Sequence, residues 1–266
     1  MRRPIALTTV AILLSAACLA GIRAAGKYTG VVVFDRWGGC VLSAGPTLDY
    51  VAEAAKGPLK PLHGTPVVLD VSDAWQPVNP GEALLRKFKR VEGKPEEAGP
   101  AAARLQLTVE PAFADGQPAA FTIAARNVGE ARLTLKYESL APIALMKRRD
   151  KSSFLLASDG PSVAVLVGYT FWCPIDGQRL ESRGGVQAGI PCDWRVTNVK
   201  TLPRTAVLEP GGESVITIAL SLPPGEYDFF AAYRDLDPSP LYVASNLVGC
   251  DVDTGGGATL PKFLGR

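Results

Sequence analysis

The sequence predicts an all-β protein in two units, a small N-terminal curled sheet or barrel followed by a larger β-sandwich. Three observations carry this expectation. Beyond residue 25 the chain falls into short runs that alternate apolar and polar residues, the period-two signature of strands with one buried face. These runs are punctuated by 27 Gly and 22 Pro, a turn-rich composition. Helical spacing is nearly absent: the one candidate is Thr47 to Lys56, where Leu48, Val51 and Ala55 recur at three and four, and a strand over Leu48 to Ala52 fits equally well.

The first element, residues 1–25, reads as an export signal or N-terminal anchor. Arg2 and Arg3 precede an apolar run of 18 residues, Ile5 to Ile22, at the boundary between a cleavable segment and a short membrane anchor. Small residues allow processing after Ala20 or Ala24, whereas a cut after Ala25 would place Arg23 where a small side chain is needed. Ser15-Ala16-Ala17-Cys18 also has the outline of a lipoprotein signal that would lipidate Cys18, with Ser15 where Leu is usual. Each reading places the rest of the chain outside the cytoplasm.

The first unit spans residues 27–91. Gly30 to Asp35, Gly38 to Leu42 and Pro66 to Val71 are strand-length apolar runs bounded by turn residues, and Trp37-Gly38-Gly39 marks a hairpin or bulge. Four or five strands in so short a stretch suit a small SH3-like or OB-like barrel better than a sandwich. Residues 92–102, carrying Glu, Lys, Pro and Gly without apolar period, read as a linker. Period two resumes in Leu105 to Val109, Ala120 to Ala125 and Leu133 to Tyr137. It returns over Val163 to Trp172, Val215 to Leu220, Tyr227 to Tyr233 and Leu241 to Val252. The second unit is therefore set at residues 103–253, with 254–266 as a flexible tail.

Seven or eight strands over that length suggest an immunoglobulin-like sandwich. Phe121-Thr122-Ile123-Ala124-Ala125-Arg126-Asn127-Val128-Gly129 resembles the second strand and turn of exported bacterial immunoglobulin-like modules. Leu208 to Glu213 followed by Leu222 to Tyr227 is similar to their later strand pair, where a Tyr near the start of a strand often bonds nearby backbone. Phe34-Asp35-Arg36-Trp37-Gly38-Gly39-Cys40 resembles exported bacterial proteins of unassigned function. The resemblance implies architecture, shared by adhesion, sugar-binding and proteinase-inhibitor-like modules, and no activity.

Export makes disulfides the default for Cys40, Cys173, Cys192 and Cys250, the even set left once Cys18 is removed or lipidated. The preferred pairing joins Cys173 with Cys192 across a Gly-rich segment, and Cys40 with Cys250, tying the first unit to the last strand. A structural zinc site is the weaker reading, because CxxC spacing is missing and His63 is the one histidine.

Charge excludes one class of partner. A net charge of +2 gives no field of the kind that draws nucleic acid, and Arg86 to Arg90 and Lys147 to Arg149 read as solvated strand edges or loop tips. Any nucleophile–histidine mechanism would pass through His63, which sits in a turn-like Leu62-His63-Gly64 stretch without a GxSxG elbow. Asp253-Thr254-Gly255 copies the aspartic-protease tripeptide, unrepeated and close to the end of the sequence. Asp235 with Asp237, and Asp251 with Asp253, could offer oxygen ligands to calcium, but a polar strand end is the simpler reading. Trp37, Trp75, Trp172 and Trp194 are candidates for a sugar-stacking platform, with Trp172 and Trp194 flanking the expected Cys173–Cys192 bridge; beside a bridge, Trp usually packs in a core.

The sequence therefore points to an exported, non-catalytic binding or scaffolding protein of the cell envelope without a cofactor, acting on a protein or glycan and with an N-terminal membrane tether as an option. Recognition would fall to the sandwich-end loops and the Gly177 to Pro191 insertion. The alternatives are a proteinase-inhibitor-like module presenting Asp176 to Gly189, and a carbohydrate-binding module using Trp172 and Trp194.

Overall fold

The computed structural model describes residues 25–45, 47–75, 83–91, 105–146, 170–172, 182–183, 193–200, 202–222, 224–236 and 241–261. Among these, the first unit forms five strands: β1 (Gly26–Phe34), β2 (Cys40–Ala44), β3 (Thr47–Val51), β4 (Pro66–Trp75) and β5 (Leu84–Arg90). They close into a barrel in the order β1-β2-β3-β5-β4, every pairing antiparallel except β3 with β5. Thr47 to Val51 is thus a strand, and the helical spacing continues only as 3-10 turns at Glu53–Ala55 and Gly57–Leu62, where Pro61 inside the second excludes a regular helix. Tyr28, Val32, Leu42, Val67, Leu69, Val71 and Leu85 fill the interior, with Leu59 of the second 3-10 turn buried among them.

The remaining strands are β6 (Leu105–Pro111), β7 (Ala120–Asn127), β8 (Leu133–Lys136), β9 (Leu140–Met146), β10 (Thr170–Trp172), β11 (Ser182–Arg183) and β12 (Asp193–Val196). They continue with β13 (Thr205–Leu208), β14 (Glu213–Ser221), β15 (Gly225–Asp235), β16 (Leu241–Ala244), β17 (Val248–Val252) and β18 (Ala258–Thr259). One sheet runs β12-β14-β7-β6; a second runs β11-β10-β9-β15-β17-β18, with β16 also paired to β15; β13 and β8 form a separate ribbon.

The two large sheets face each other across one core. Leu107 and Val109 of β6, Phe121 and Ile123 of β7 and Ile216 and Ile218 of β14 meet Tyr227, Phe229, Ala231 and Tyr233 of β15 and Val252 of β17. At its centre the Phe121 and Phe229 rings stack at 4.1 Å between centroids. The alternate residues of the second sheet are equally buried. Ala141, Ile143, Leu145, Phe230 and Ala232 turn the other way and pack on the outer wall of the barrel, against Val31, Val33, Val41, Leu48, Tyr50 and Leu84. The protein is a stack: four-stranded sheet, core, central sheet, second core, barrel. At one point the approach is close enough to require glycine, because a Cβ on Gly45 (φ +66°) would stand 2.5 Å from Cβ of Arg234.

Asn127, fully buried at the end of β7, donates through Nδ2 to the carbonyls of Ala131 (2.8 Å) and Leu208 (2.9 Å) and accepts from Gly129 N–H (3.0 Å). Asn127→Ala strands two carbonyls and an amide, and is expected to lower the unfolding free energy by about 2–3 kcal/mol, measurable by urea denaturation. Pro142 is tolerated inside β9 because Ala231 opposite it turns its amide and carbonyl to Ser245, so Pro142 owes β15 no hydrogen bond.

Two expectations are corrected. Cys40 and Cys250 form no disulfide: Cys40 lies inside the barrel and Cys250 inside the core between the sheets, with a barrel wall and a sheet intervening. The chain after residue 253 begins as ordered structure rather than a flexible tail. Asp253 closes a turn by accepting from Gly255 N–H (2.8 Å) and Gly257 N–H (2.9 Å), and β18 then pairs with β17 and buries Ala258. The expected signal with Cys18, the linker 92–102 and Cys173 and Cys192 lie outside the described residues. Among the described residues no helix is long and apolar enough to cross a membrane.

Candidate functional site

Among the described residues, the densest constellation of charge lies where the β1–β2 turn meets β15 and β17. The turn is built by its own sequence. Asp35 accepts through Oδ1 from Trp37 N–H (3.0 Å) and Gly39 N–H (2.6 Å), and its carbonyl accepts from Gly38 N–H (3.0 Å), with Gly38 at φ +84°. Lys56, paired with Glu53, donates to the Gly38 carbonyl at 2.6 Å. The locked turn projects Arg36 onto the central sheet.

There Arg36 makes four contacts. Its backbone N–H donates to Oδ2 of Asp228 (2.6 Å), Nε pairs with Oδ1 of Asp228 (3.1 Å), and Nη2 reaches Oδ1 of Asp251 (2.6 Å) and the Tyr227 carbonyl (3.3 Å). The guanidinium also lies 4.8 Å from the Trp37 ring centroid. Gly249 leaves the room: a Cβ there would stand 2.9 Å from Nη1 of Arg36 and 2.8 Å from Cγ of Pro261. Asp228 is 1% exposed. Burial lifts its carboxyl to about 6 from 3.8, against the lowering by Arg36, with Asp35 and Asp251 adding to the rise. Beneath it the Cys250 thiol is pushed up to about 12, chiefly by burial, so it is not a nucleophile at neutral pH.

Because the folded-state value of Asp228 exceeds the unfolded one, the native protein binds more protons between about pH 4 and 6, and this group's contribution to stability falls as pH rises through that window. Asp228→Asn keeps an acceptor for Arg36 N–H and removes the titration. The melting temperature of this variant is expected to lack the wild-type decline between pH 4 and 6; an unchanged pH profile would show that Asp228 is not its source.

A second, smaller constellation sits at the other end of β15. Lys136 pairs with Asp235 (3.0 Å), and Tyr233 OH accepts from Lys136 N–H (3.1 Å) and faces Asp235 at 3.5 Å. Burial raises the Tyr233 hydroxyl to about 12. Tyr227, the tyrosine singled out in the sequence, is fully buried in the core between the sheets.

The remaining candidates are dispersed. Asp235 pairs with Leu241 and Asp251 with Glu226, nine positions apart along β15 or about 30 Å, so the two acidic groups do not converge. Asp253 is occupied in its turn, Asp237 lies outside the described residues, and among those residues no group of three or more His, Cys, Asp or Glu is placed to hold a metal ion. His63 is exposed and accepts from Phe34 N–H through Nδ1 at 3.0 Å, capping the end of β1. Trp75 packs into the core between barrel and central sheet, and Trp37 lies under Arg36. Trp172 and Trp194 are on β10 and β12, which belong to different sheets. The residues that sequence reasoning did not assign are Arg36 and Asp228; the available signal was a lone Asp inside the apolar run Tyr227 to Tyr233.

Comparison with protein-family models, curated proteins and solved structures gives no match.

Proposed function

We propose that this chain is an exported, non-catalytic scaffold of the cell envelope that holds a recognition surface rigidly. The observation that carries the reading is the use made of the site: Arg36, Asp228 and Asp251 are all engaged in fastening the barrel to the central sheet. Groups spent on mutual ion pairs and backbone bonds serve position, not turnover. The facing sheets are read as an immunoglobulin-like sandwich. The barrel is read as OB-like, supported by its 1-2-3-5-4 strand order, the parallel β3–β5 pairing and the cap between β3 and β4. The face and first loop through which OB barrels usually bind oligonucleotides or oligosaccharides would then be covered, since β2, β3 and the β1–β2 turn lie on the sheet. Recognition is left to the sandwich.

The test is photo-crosslinking in the exporting host from the exposed Val128, Val207 and Val215, three sites on the sandwich. A discrete protein or glycan adduct from at least one position is expected. Absence of any adduct together with hydrolytic activity on a substrate panel would overturn the reading.

A further inference from the structure

We infer that the barrel end opposite the Arg36 turn rests on an anionic lipid surface. The inference deepens the envelope reading, because it requires the apolar run Ile5 to Ile22 to remain in the bilayer. Three observations place this end. First, β1 starts at Gly26, so only Arg23, Ala24 and Ala25 separate the barrel from the apolar run. Fully extended, that link spans no more than about 14 Å, which keeps the start of β1 within about 14 Å of the hydrocarbon boundary. Second, β1 is nine residues long, so its start is about 26 Å from Phe34 and the turn that docks on the central sheet. The bilayer-facing end and the sheet-facing turn are therefore opposite poles of the barrel.

Third, the strand register gathers cations beside the start of β1. Lys27 stands opposite Asp70, Asp70 opposite Lys89, Leu69 opposite Arg90 and Asp73 opposite Lys87. Lys27, Lys87, Lys89 and Arg90 are all exposed, four cations against the carboxylates of Asp70 and Asp73. Basic residues this near a bilayer are drawn to anionic headgroups within about a Debye length of 8–10 Å, and the link, about 14 Å at full extension, lets them come within that range. The charge on β5 thus serves a surface rather than only protecting a strand edge.

The full chain, reconstituted in vesicles of phosphatidylcholine alone or with 30% phosphatidylglycerol, is probed by brief acetylation and mass spectrometry. Lys60, exposed on the 3-10 turn before His63, belongs to the sheet-facing pole and is the internal reference. The expected result is a severalfold drop in acetylation of Lys27, Lys87 and Lys89 relative to Lys60 in the anionic vesicles only, reversed in 0.5 M NaCl. In the K87Q/K89Q double variant the protection of Lys27 is expected to weaken, with the vesicles still binding the chain. Equal reactivity in both vesicle types, with the chain bound to both, overturns the docking while leaving the anchor in place. A chain that floats with neither vesicle overturns the anchor, and the docking with it.

Discussion

Arg36→Ala is expected to lower stability by about 3–5 kcal/mol at pH 8, and by distinctly less at pH 5, when unfolding is followed in urea at both values. Removing the guanidinium leaves the Asp228 carboxylate buried without its cation, and breaking a buried pair from one side carries a penalty of this size. The sign of the pH effect follows from the same burial. Without Arg36 the carboxyl rises further above its usual range, so the native state stays protonated to a higher pH and the loss of stability with rising pH extends beyond the wild-type window. At pH 5 Asp228 is largely neutral in both proteins and the difference narrows. Asp251, half-exposed, loses its partner at little cost. An equal penalty at both pH values would mean that Arg36 acts through packing on Trp37 and Gly249 rather than through the buried charge.

Phe230→Ala is expected to cost about 3–5 kcal/mol, the range for emptying a fully enclosed aromatic site. Phe230 belongs to the face of the central sheet that meets the barrel, so the cavity opens between the two units. Tryptophan emission and far-ultraviolet circular dichroism are expected to report one coincident transition at a lower denaturant midpoint. Two separated transitions would show that the barrel detaches before the sheets unfold. A loss below about 1 kcal/mol would show that the contact holds little of the fold together.

The sheets' strands were readable wherever one face is wet. Leu105 to Val109, Ala120 to Ala125 and Val215 to Leu220 alternate in sequence because one side of the four-stranded sheet meets solvent, and all three lie in strands. Leu140 to Met146 was passed over for the converse reason: as β9 it is buried on both faces, so the alternation is gone, and Pro142 further disguises it. The apolar triplet Val31-Val32-Val33 carried the same information unread, its members dividing between the barrel interior and the wall facing the sheet. Cysteine parity misled because it counts thiols without locating them; no sequence spacing shows that Cys40 and Cys250 belong to different interiors. The Arg36–Asp228 pair joins residues 192 positions apart, a distance at which local pattern is silent. What the sequence did hold was the turn that presents Arg36, legible in Asp35, Gly38 and Gly39.

Because β15 supplies alternate side chains to two interiors, neither unit owns its own boundary. A truncation that removes residues before 103 would uncover Ile143, Leu145 and Phe230 together, a greasy patch in the middle of a sheet and an invitation to aggregate. The linker that looks like a natural cutting point is therefore a poor one: dissection at that site would yield insoluble fragments, and the two units can be expected to pass through expression, evolution and engineering only as a pair.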